Sequence, residues 1–309
     1  MPSPHIVLLC ATLRGLACLD KIRSLLPHAR IDVASFREEN GEPPFFENIR
    51  EFCRRHNYEF HNAKKLENNP LVHNWQISPP DCLIAINWRY LIPKEIYLLP
   101  RNGSYVFHDS LLPKYRGFSP TVWAIINGEE QTGASLLEMN EGTDSGNIVD
   151  QIPVPLADKS IAQVFSAVTA AYISLIERHI TSLANGKIKS TPQNHSLATF
   201  CCKRLPEDNR IDWQKPAKQI HDLIRAVSAP YSGAFTYLND KKLIIWSSQY
   251  KADTSFVGNV PGRIVKVDEK EGVTVLTGEG TVTICEVETE ELGRQTASRV
   301  LNRLSLTLR

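Results

Sequence analysis

The sequence predicts an α/β fold: a mostly parallel sheet followed by a small all-β domain. Two patterns predict it. Over about the first 190 residues, short apolar runs alternate with helix-length amphipathic stretches, and strands alternating with helices imply a parallel sheet. Beyond about residue 205, short β runs recur between Gly and Asp turns, the pattern of a small barrel or sandwich. At 309 residues, of which 42% are hydrophobic, the chain is long for one core and has apolar surface enough for two.

Residues 5–10 read as a buried first strand, 11–15 as a turn and 16–26 as an amphipathic helix, the opening of a βα unit. Residues 30–36 form a second strand, 45–56 a second helix, and 82–86 a short apolar strand between Pro80 and Asn87. Gly15 stands where a nucleotide loop would begin. No Gly-x-Gly-x-x-Gly or Gly-Lys-Ser/Thr follows it, so the sheet is Rossmann-like without a phosphate cradle for NAD or ATP. Residues 160–183 form a long helix, with Val164, Val168, Ala171, Ile173 and Ile176 on overlapping faces and Asn185-Gly186 as its stop. From 187 to 199 the chain turns polar, the composition of a linker running over a surface. The division this gives is a first domain over 1–190, a linker over 191–204 and a second domain over 205–309. In the second, a helix over 216–227 precedes β runs at 233–237, 242–247, 262–267, 272–276 and 281–287.

Formal charge is +1. Residues 201–309 hold 16 Lys+Arg against 14 Asp+Glu, and the remainder 19 against 20, so neither half offers a basic glove for nucleic acid. The seven cysteines are odd in number and none is spaced Cys-x-x-Cys. They read as reduced thiols of a cytoplasmic protein, with Cys201-Cys202 as packing in the linker. No positively charged leader precedes a long apolar run, and no window approaches about 18 uninterrupted apolar residues, so neither a signal peptide nor a membrane partner is expected.

The most informative stretch is 106–117, Val-Phe-His-Asp-Ser-Leu-Leu-Pro-Lys-Tyr-Arg-Gly, followed at 141–146 by Glu-Gly-Thr-Asp-Ser-Gly. It places His108, Arg116 and Asp144 in two loops after the apolar runs 81–88 and 132–139. In open α/β sheets ligands collect outside the carboxyl ends of the strands, so His108 and Asp144 are expected to meet there. A His suits acid–base work near neutral pH. The bland alternative for Asp144 is an Asx turn in a Gly-rich loop. Lys114, Tyr115 and Arg116 follow Pro113 in a loop that would open toward substrate, Arg offering a fork for phosphate or carboxylate and Tyr a stacking face. A purely structural Arg116 is the rival.

These residues resemble the folate-dependent formyltransferases, whose pattern is Asn-x-His, then Ser-Leu-Leu-Pro-x-x-Arg-Gly, then an Asp in a Gly-x-Asp-x-Gly turn. The resemblance covers about the first 190 residues. Residues 204–213, 217–226, 230–237 and 242–246 resemble the C-terminal domain of methionyl-tRNA formyltransferases and of the enzyme that formylates UDP-4-amino-4-deoxy-arabinose. That likeness implies an OB-like barrel. It also implies transfer of a formyl group from 10-formyltetrahydrofolate to an amine, with no bound metal. On this resemblance His108 relays the proton and Asp144 holds the imidazole and stabilises its protonated form. Trp88, Arg89, Tyr90, Leu91 and Ile92, with Glu138, Asn140, Gly142 and Thr143, match segments that wrap the pterin, largely through main-chain groups. Ser110, Lys114, Tyr115, Arg116 and Gly117, with Arg204 at the domain junction, match the substrate side.

The chain departs from the pattern at Val106, where the family's Asn would donate to the oxygen that becomes negative. Losing such a donor can cost around two to three orders of magnitude in rate. Three accounts are open: Asn87 substitutes as oxyanion donor; a backbone N–H or protonated His108 serves; or the protein binds folate with weak or lost catalysis. Among acceptors, the 87–90 loop and the 114–116 run look closest to the arabinose-type enzyme, and the second domain is not basic. Residues 37–44, Arg-Glu-Glu-Asn-Gly-Glu-Pro-Pro, are acidic where the tRNA enzymes carry a basic insertion, and would repel phosphates. The expected partner is therefore a nucleotide-linked amino sugar used for cell-surface glycan. A tRNA partner is disfavoured, with methionyl-tRNA formyltransferase as the alternative. Small enzymes with an added barrel are often dimers, but no exposed apolar stripe can be located, so the sequence leaves the oligomeric state, a homodimer included, open.

Overall fold

The computed structural model describes residues 3–39, 42–66, 70–254 and 256–309. Met1 and Pro2 of the amino-terminal stretch and Asn40 and Gly41 of the acidic loop lie outside the described residues. The chain divides into two compact units. The first holds residues 1–120, 132–155 and 166–201, and the second holds 121–131, 156–165 and 202–309.

The first part of the chain runs β1 (His5–Cys10), α1 (Thr12–Leu25), β2 (Arg30–Ser35), α2 (Phe46–His56), β3 (Glu59–Asn62), α3 (Pro70–Ile77), β4 (Cys82–Ile86), α4 (Lys94–Tyr97), β5 (Ser104–His108), β6 (Arg116–Gly117), α5 (Pro120–Ile126), β7 (Gln131–Glu138), β8 (Ile148–Pro155), α6 (Ile161–Ala184) and β9 (Phe200–Cys201). Seven strands form one sheet in the order β3-β2-β1-β4-β5-β7-β8. From β3 through β5 all pairs are parallel, and β7 runs antiparallel to β5. The mostly parallel sheet expected from the sequence is thus present. Its central strands read as continuous apolar runs because both faces are covered: Ile6 through Cys10 and Cys82 through Ile86 are all at most 1% exposed. On one face Val7, Leu9, Ala34, Leu83 and Ala85 pack with Leu71, Val72 and Trp75 of α3.

Two local expectations change. Helix α1 begins at Thr12 rather than at 16. Gly15 is inside it, donating its N–H to Ala11 O at 3.2 Å, and an added Cβ there would lie 3.0 Å from Cys10 Cβ. The glycine lets helix and strand approach closely and does not make a turn. His108 is the last residue of β5 rather than a loop residue, and it is 7% exposed. That strand is flanked by Ser104 and His108, polar residues that hide its apolar centre, but pairing with both β4 and β7 fixes it.

The second unit contains α7 (Ala217–Val227) and a sheet of β10 (Ala234–Leu238), β11 (Lys241–Lys251), β12 (Ile264–Asp268), β13 (Gly272–Leu276), β14 (Thr281–Thr289) and β15 (Gly293–Thr296), then α8 (Ala297–Val300). The order is β10-β11-β14-β13-β12, antiparallel throughout, with β15 on the far half of β14. The last residues join its two edges. Tyr237 on β10 exchanges two backbone hydrogen bonds with Arg309, while Leu308 N–H donates to Gly262 O and Ile264 N–H to Leu306 O. The sheet therefore closes into a barrel. Closure leaves no open ladder between these edges. Its interior is built from alternating side chains such as Val273, Val275, Val282 and Ile284, with Trp213 buried and donating to Thr236 Oγ1 at 2.9 Å.

Candidate active site

The chain proceeds outward from β1 to β3 and then returns to place β4 on β1's other side. That reversal opens a crevice at the carboxyl ends of β1 and β4, the place where such sheets hold ligands. Both strands leave it in left-handed conformation, at Thr12 (φ 67°) and Asn87 (φ 53°). For a β-branched residue this is strained backbone. Thr12 Oγ1 donates to Asn87 Oδ1 at 3.4 Å, which turns the carboxamide so that its NH2 end faces away from Thr12.

The following loop is anchored by aromatic packing. Trp88 and Tyr90 make edge contacts with Phe36, at ring separations of 5.3 and 4.8 Å. The Arg89 guanidinium stacks on Phe36 and donates to Glu42 at 2.6 Å, so this side chain is bound to the acidic loop. Leu91 is 88% exposed. Trp88, Ile92, Val106 and Met139 are each packed against the apolar wall formed by the core of the sheet, and Trp88 Nε1 is buried with no partner among the described residues. Val106 belongs to that apolar wall, where an Asn side chain would have to find polar company.

The structure brings His108 and Asp144 together. His108 Nδ1 stands 3.5 Å from Asp144 Oδ2, and both side chains are largely buried. Its Nε2 lies 2.7 Å from the Tyr115 carbonyl. A carbonyl can only accept, so Nε2 carries a proton and Nδ1 faces the carboxylate. The same Asp144 oxygen accepts the Gly117 N–H at 2.8 Å. Asp144 and Tyr115 both adopt positive φ, 47° and 60°. The turn around Asp144 requires glycine after it: a Cβ on Gly146 would lie 1.8 Å from Glu138 O. Asn140 builds the turn's entry, its Oδ1 accepting from Gly142 N–H and Ser145 Oγ, and Gly142 and Thr143 are exposed. Glu138 accepts from Ser190 Oγ at 2.8 Å.

Several side chains expected on the substrate side point elsewhere. Ser110 is buried and donates to Lys114 O, closing its own loop. Arg116 is 4% exposed; its Nη2 donates to Gln193 Oε1 at 2.5 Å and to His195 Nδ1 at 3.1 Å. The inward turn leaves it no fork for a ligand. Lys114 alone of this run is exposed. Arg204 belongs to the second unit, where it stacks on Trp123 and donates to Asp208 O and Asn209 Oδ1. Burial lowers its pKa despite nearby Asp208.

Sequence reasoning missed the residues around Arg116. Gln193 is buried, and its Nε2 donates to Asp144 O at 2.9 Å and to Gly146 O at 2.7 Å. Thr199 accepts Tyr115 N–H through its hydroxyl and Arg116 N–H through its carbonyl. Strand β9 pairs with β6, and Gly117 (φ 96°) leaves room for Cys201 O at 2.7 Å from where a Cβ would be. No periodicity marks these residues.

Behind His108 lies a buried charged cluster, also unforeseen. Asp109 takes both oxygens to Arg14 Nη1 at 2.6 Å and accepts from the Tyr172 hydroxyl, while Arg14 Nε donates to Thr169 Oγ1. Burial alone would raise the Asp109 carboxyl; the Arg14 charge and hydrogen bonds outweigh it and hold it below the ordinary carboxylate range. Burial pushes the Tyr172 hydroxyl well up, reinforced by the Asp109 charge.

Comparison with known proteins finds matches to both halves of the chain. The Formyl transferase domain matches residues 24–177, and the Formyl transferase, C-terminal domain matches residues 204–305. The chain is 31% identical over 256 residues, 81% of its length, to the bifunctional polymyxin resistance protein ArnA of Wigglesworthia glossinidia brevipalpis, and the match spans only 38% of that relative. An N-formyltransferase from Helicobacter canadensis, solved with folinic acid and dTDP-3-aminofucose, superposes with a TM-score of 0.68 at 17% identity, covering 92% of this chain and 98% of that one. HypX from Aquifex aeolicus, solved with tetrahydrofolic acid, gives 0.63 at 19% identity, covering 96% of this chain and 46% of that one. With both domains matched in order, the chain belongs to the formyltransferase family.

Proposed function

We propose that the protein transfers a formyl group from 10-formyltetrahydrofolate to the amino group of a nucleotide-linked amino sugar, in the cytoplasm, for surface glycan. The observation that carries this is the His108–Asp144 pair, 3.5 Å apart, at the carboxyl end of β5. The reaction forms a bond from the acceptor nitrogen to the formyl carbon and breaks the bond from that carbon to the folate nitrogen. A proton must leave the first nitrogen and reach the second. His108, whose Nε2 is held by the Tyr115 carbonyl and whose Nδ1 faces Asp144, is the group to move it, and Asp144 balances the charge of the ring. Trp88, Ile92, Val106 and Met139, each packed against the sheet core, supply apolar surface suited to one face of a pterin. The NH2 of Asn87 supplies the oxyanion donor that Val106 cannot.

The sugar acceptor is supported by the relative from Wigglesworthia and by the sugar ligand named for the Helicobacter enzyme. The acidic stretch with Glu38, Glu39 and Glu42, close enough to bond Arg89, works against a phosphate-rich tRNA stem. The test is formyl transfer from 10-formyltetrahydrofolate to a panel of nucleotide-linked amino sugars, with initiator methionyl-tRNA in parallel and His108→Ala as control. Product on a sugar that disappears with the variant is the expected result. Product only on tRNA, or folate binding without any product, would overturn it.

A further inference from the structure

We infer that Gln193 is a positioning residue for the His108–Asp144 pair, the centre of a strap that residues 191–201 lay across both active-site loops. This rests on the catalytic reading of that pair. Gln193 is 6% exposed and uses both ends of its carboxamide. Its NH2 spans two carbonyls of one turn, Asp144 O at 2.9 Å and Gly146 O at 2.7 Å, and its oxygen takes the Arg116 guanidinium at 2.5 Å. Arg116 is in turn next to Tyr115, whose carbonyl holds His108 Nε2, and to Gly117, whose N–H holds Asp144 Oδ2. One side chain therefore ties the loop that orients the imidazole to the loop that carries the carboxylate.

The need for such a tie is visible in the backbone. Asp144 and Tyr115 both have positive φ, and a conformation of that kind persists only where surrounding bonds over-determine it. The Asp144 turn is also exposed over 141–143, so it has little packing of its own. Thr199, bonding Tyr115 and Arg116, and β9, bonding β6, secure the other loop from the same segment. His195 completes the arrangement. An Arg Nη2 can only donate, so His195 Nδ1 accepts from it.

The experiment follows the His108 ring by NMR in the full chain, labelled at histidine nitrogens, through a pH titration. Five proteins are compared: wild type, Asp144→Asn, Gln193→Met, Gln193→Leu and the double variant of Asp144→Asn with Gln193→Met. Gln193→Met should displace the His108 titration midpoint in the same direction as Asp144→Asn, and the double variant should go no further than Asp144→Asn alone. Gln193→Leu also removes both ends of the carboxamide without adding charge, and should behave like Gln193→Met. A His108 titration unmoved by either Gln193 variant, or additive with Asp144→Asn, or unmoved by Asp144→Asn itself, overturns the inference. Formyl transfer by the same proteins separates the two levels. If wild type transfers formyl, kcat for Gln193→Met should fall about 10- to 100-fold, the scale of a misplaced catalytic group, with KM changed less than about twofold. If wild type transfers none while the ring coupling is as described, the functional reading fails and the positioning role stands.

Discussion

Val106 decides what the rest of the site must supply. Its side chain packs against the same core as Trp88, Ile92 and Met139, and on the proposed mechanism the oxyanion donor is Asn87, at the end of β4. Asn87→Ala should therefore lower kcat by about 10²- to 10³-fold with folate affinity nearly unchanged, measured by steady-state turnover and equilibrium binding. Val106→Asn, by contrast, buries a carboxamide in apolar surroundings. It should cost about 1–3 kcal/mol of stability in denaturant titration, and it should not rescue Asn87→Ala. Much at this scale is legible in the sequence, because the motif names His108 and Asp144 outright and short loops can be placed by the strands before them. Gln193 is not legible. Its partners are 49 and 77 residues away, and a buried glutamine between Pro192 and Asn194 carries no period or spacing that would distinguish it from a surface one.

Among elements, strands and long helices follow from one-sided or two-sided burial, which is why β1, β4, α2 and α6 stand where apolar spacing puts them. Short polar elements do not. Strand β3, Glu-Phe-His-Asn, is a sheet edge held by its ladder to β2, and β8 mixes apolar with polar residues, while α5, Pro-Thr-Val-Trp-Ala-Ile-Ile, is apolar but too short to show a helical period. The contact of α1 and α6 with the end of β5 is also carried by charge: Arg14 from α1, Tyr172 from α6 and Asp109 after β5. Breaking a buried pair by removing one partner costs about 3–5 kcal/mol. Asp109→Asn should lose stability on that scale at pH 7. Because the folded carboxyl lies below its unfolded value of about 3.9, its contribution is complete above that pH and is lost as pH falls through the folded value. The variant should therefore show a shallower decline of stability with acid below about pH 4 than wild type, as read from urea midpoints.

At the scale of the whole molecule, each unit is completed by a segment that comes late in its own stretch of chain. In the barrel it is residues 306–309, with Leu308 only 2% exposed and Gly262 (φ 87°) making room for its carbonyl. Leu308→Ala should cost about 2–5 kcal/mol, seen as a lowered midpoint of the Trp213 fluorescence transition. In the first unit it is the strap, which follows α6 and reaches the catalytic loops only after all seven strands have been made. On the positioning role inferred for Gln193, the strap orders the loops of His108 and Asp144 rather than the sheet. Regions held by few buried apolar contacts open at lower free energy than the cores they lie on. Amide protons of the Asp144 turn and of residues 193–201 should thus exchange as one cooperative group, sooner than those of β1 and β4. Under gentle urea, turnover should vanish while the circular dichroism of the sheet is still native, and a ligand spanning both loops should draw the two transitions together.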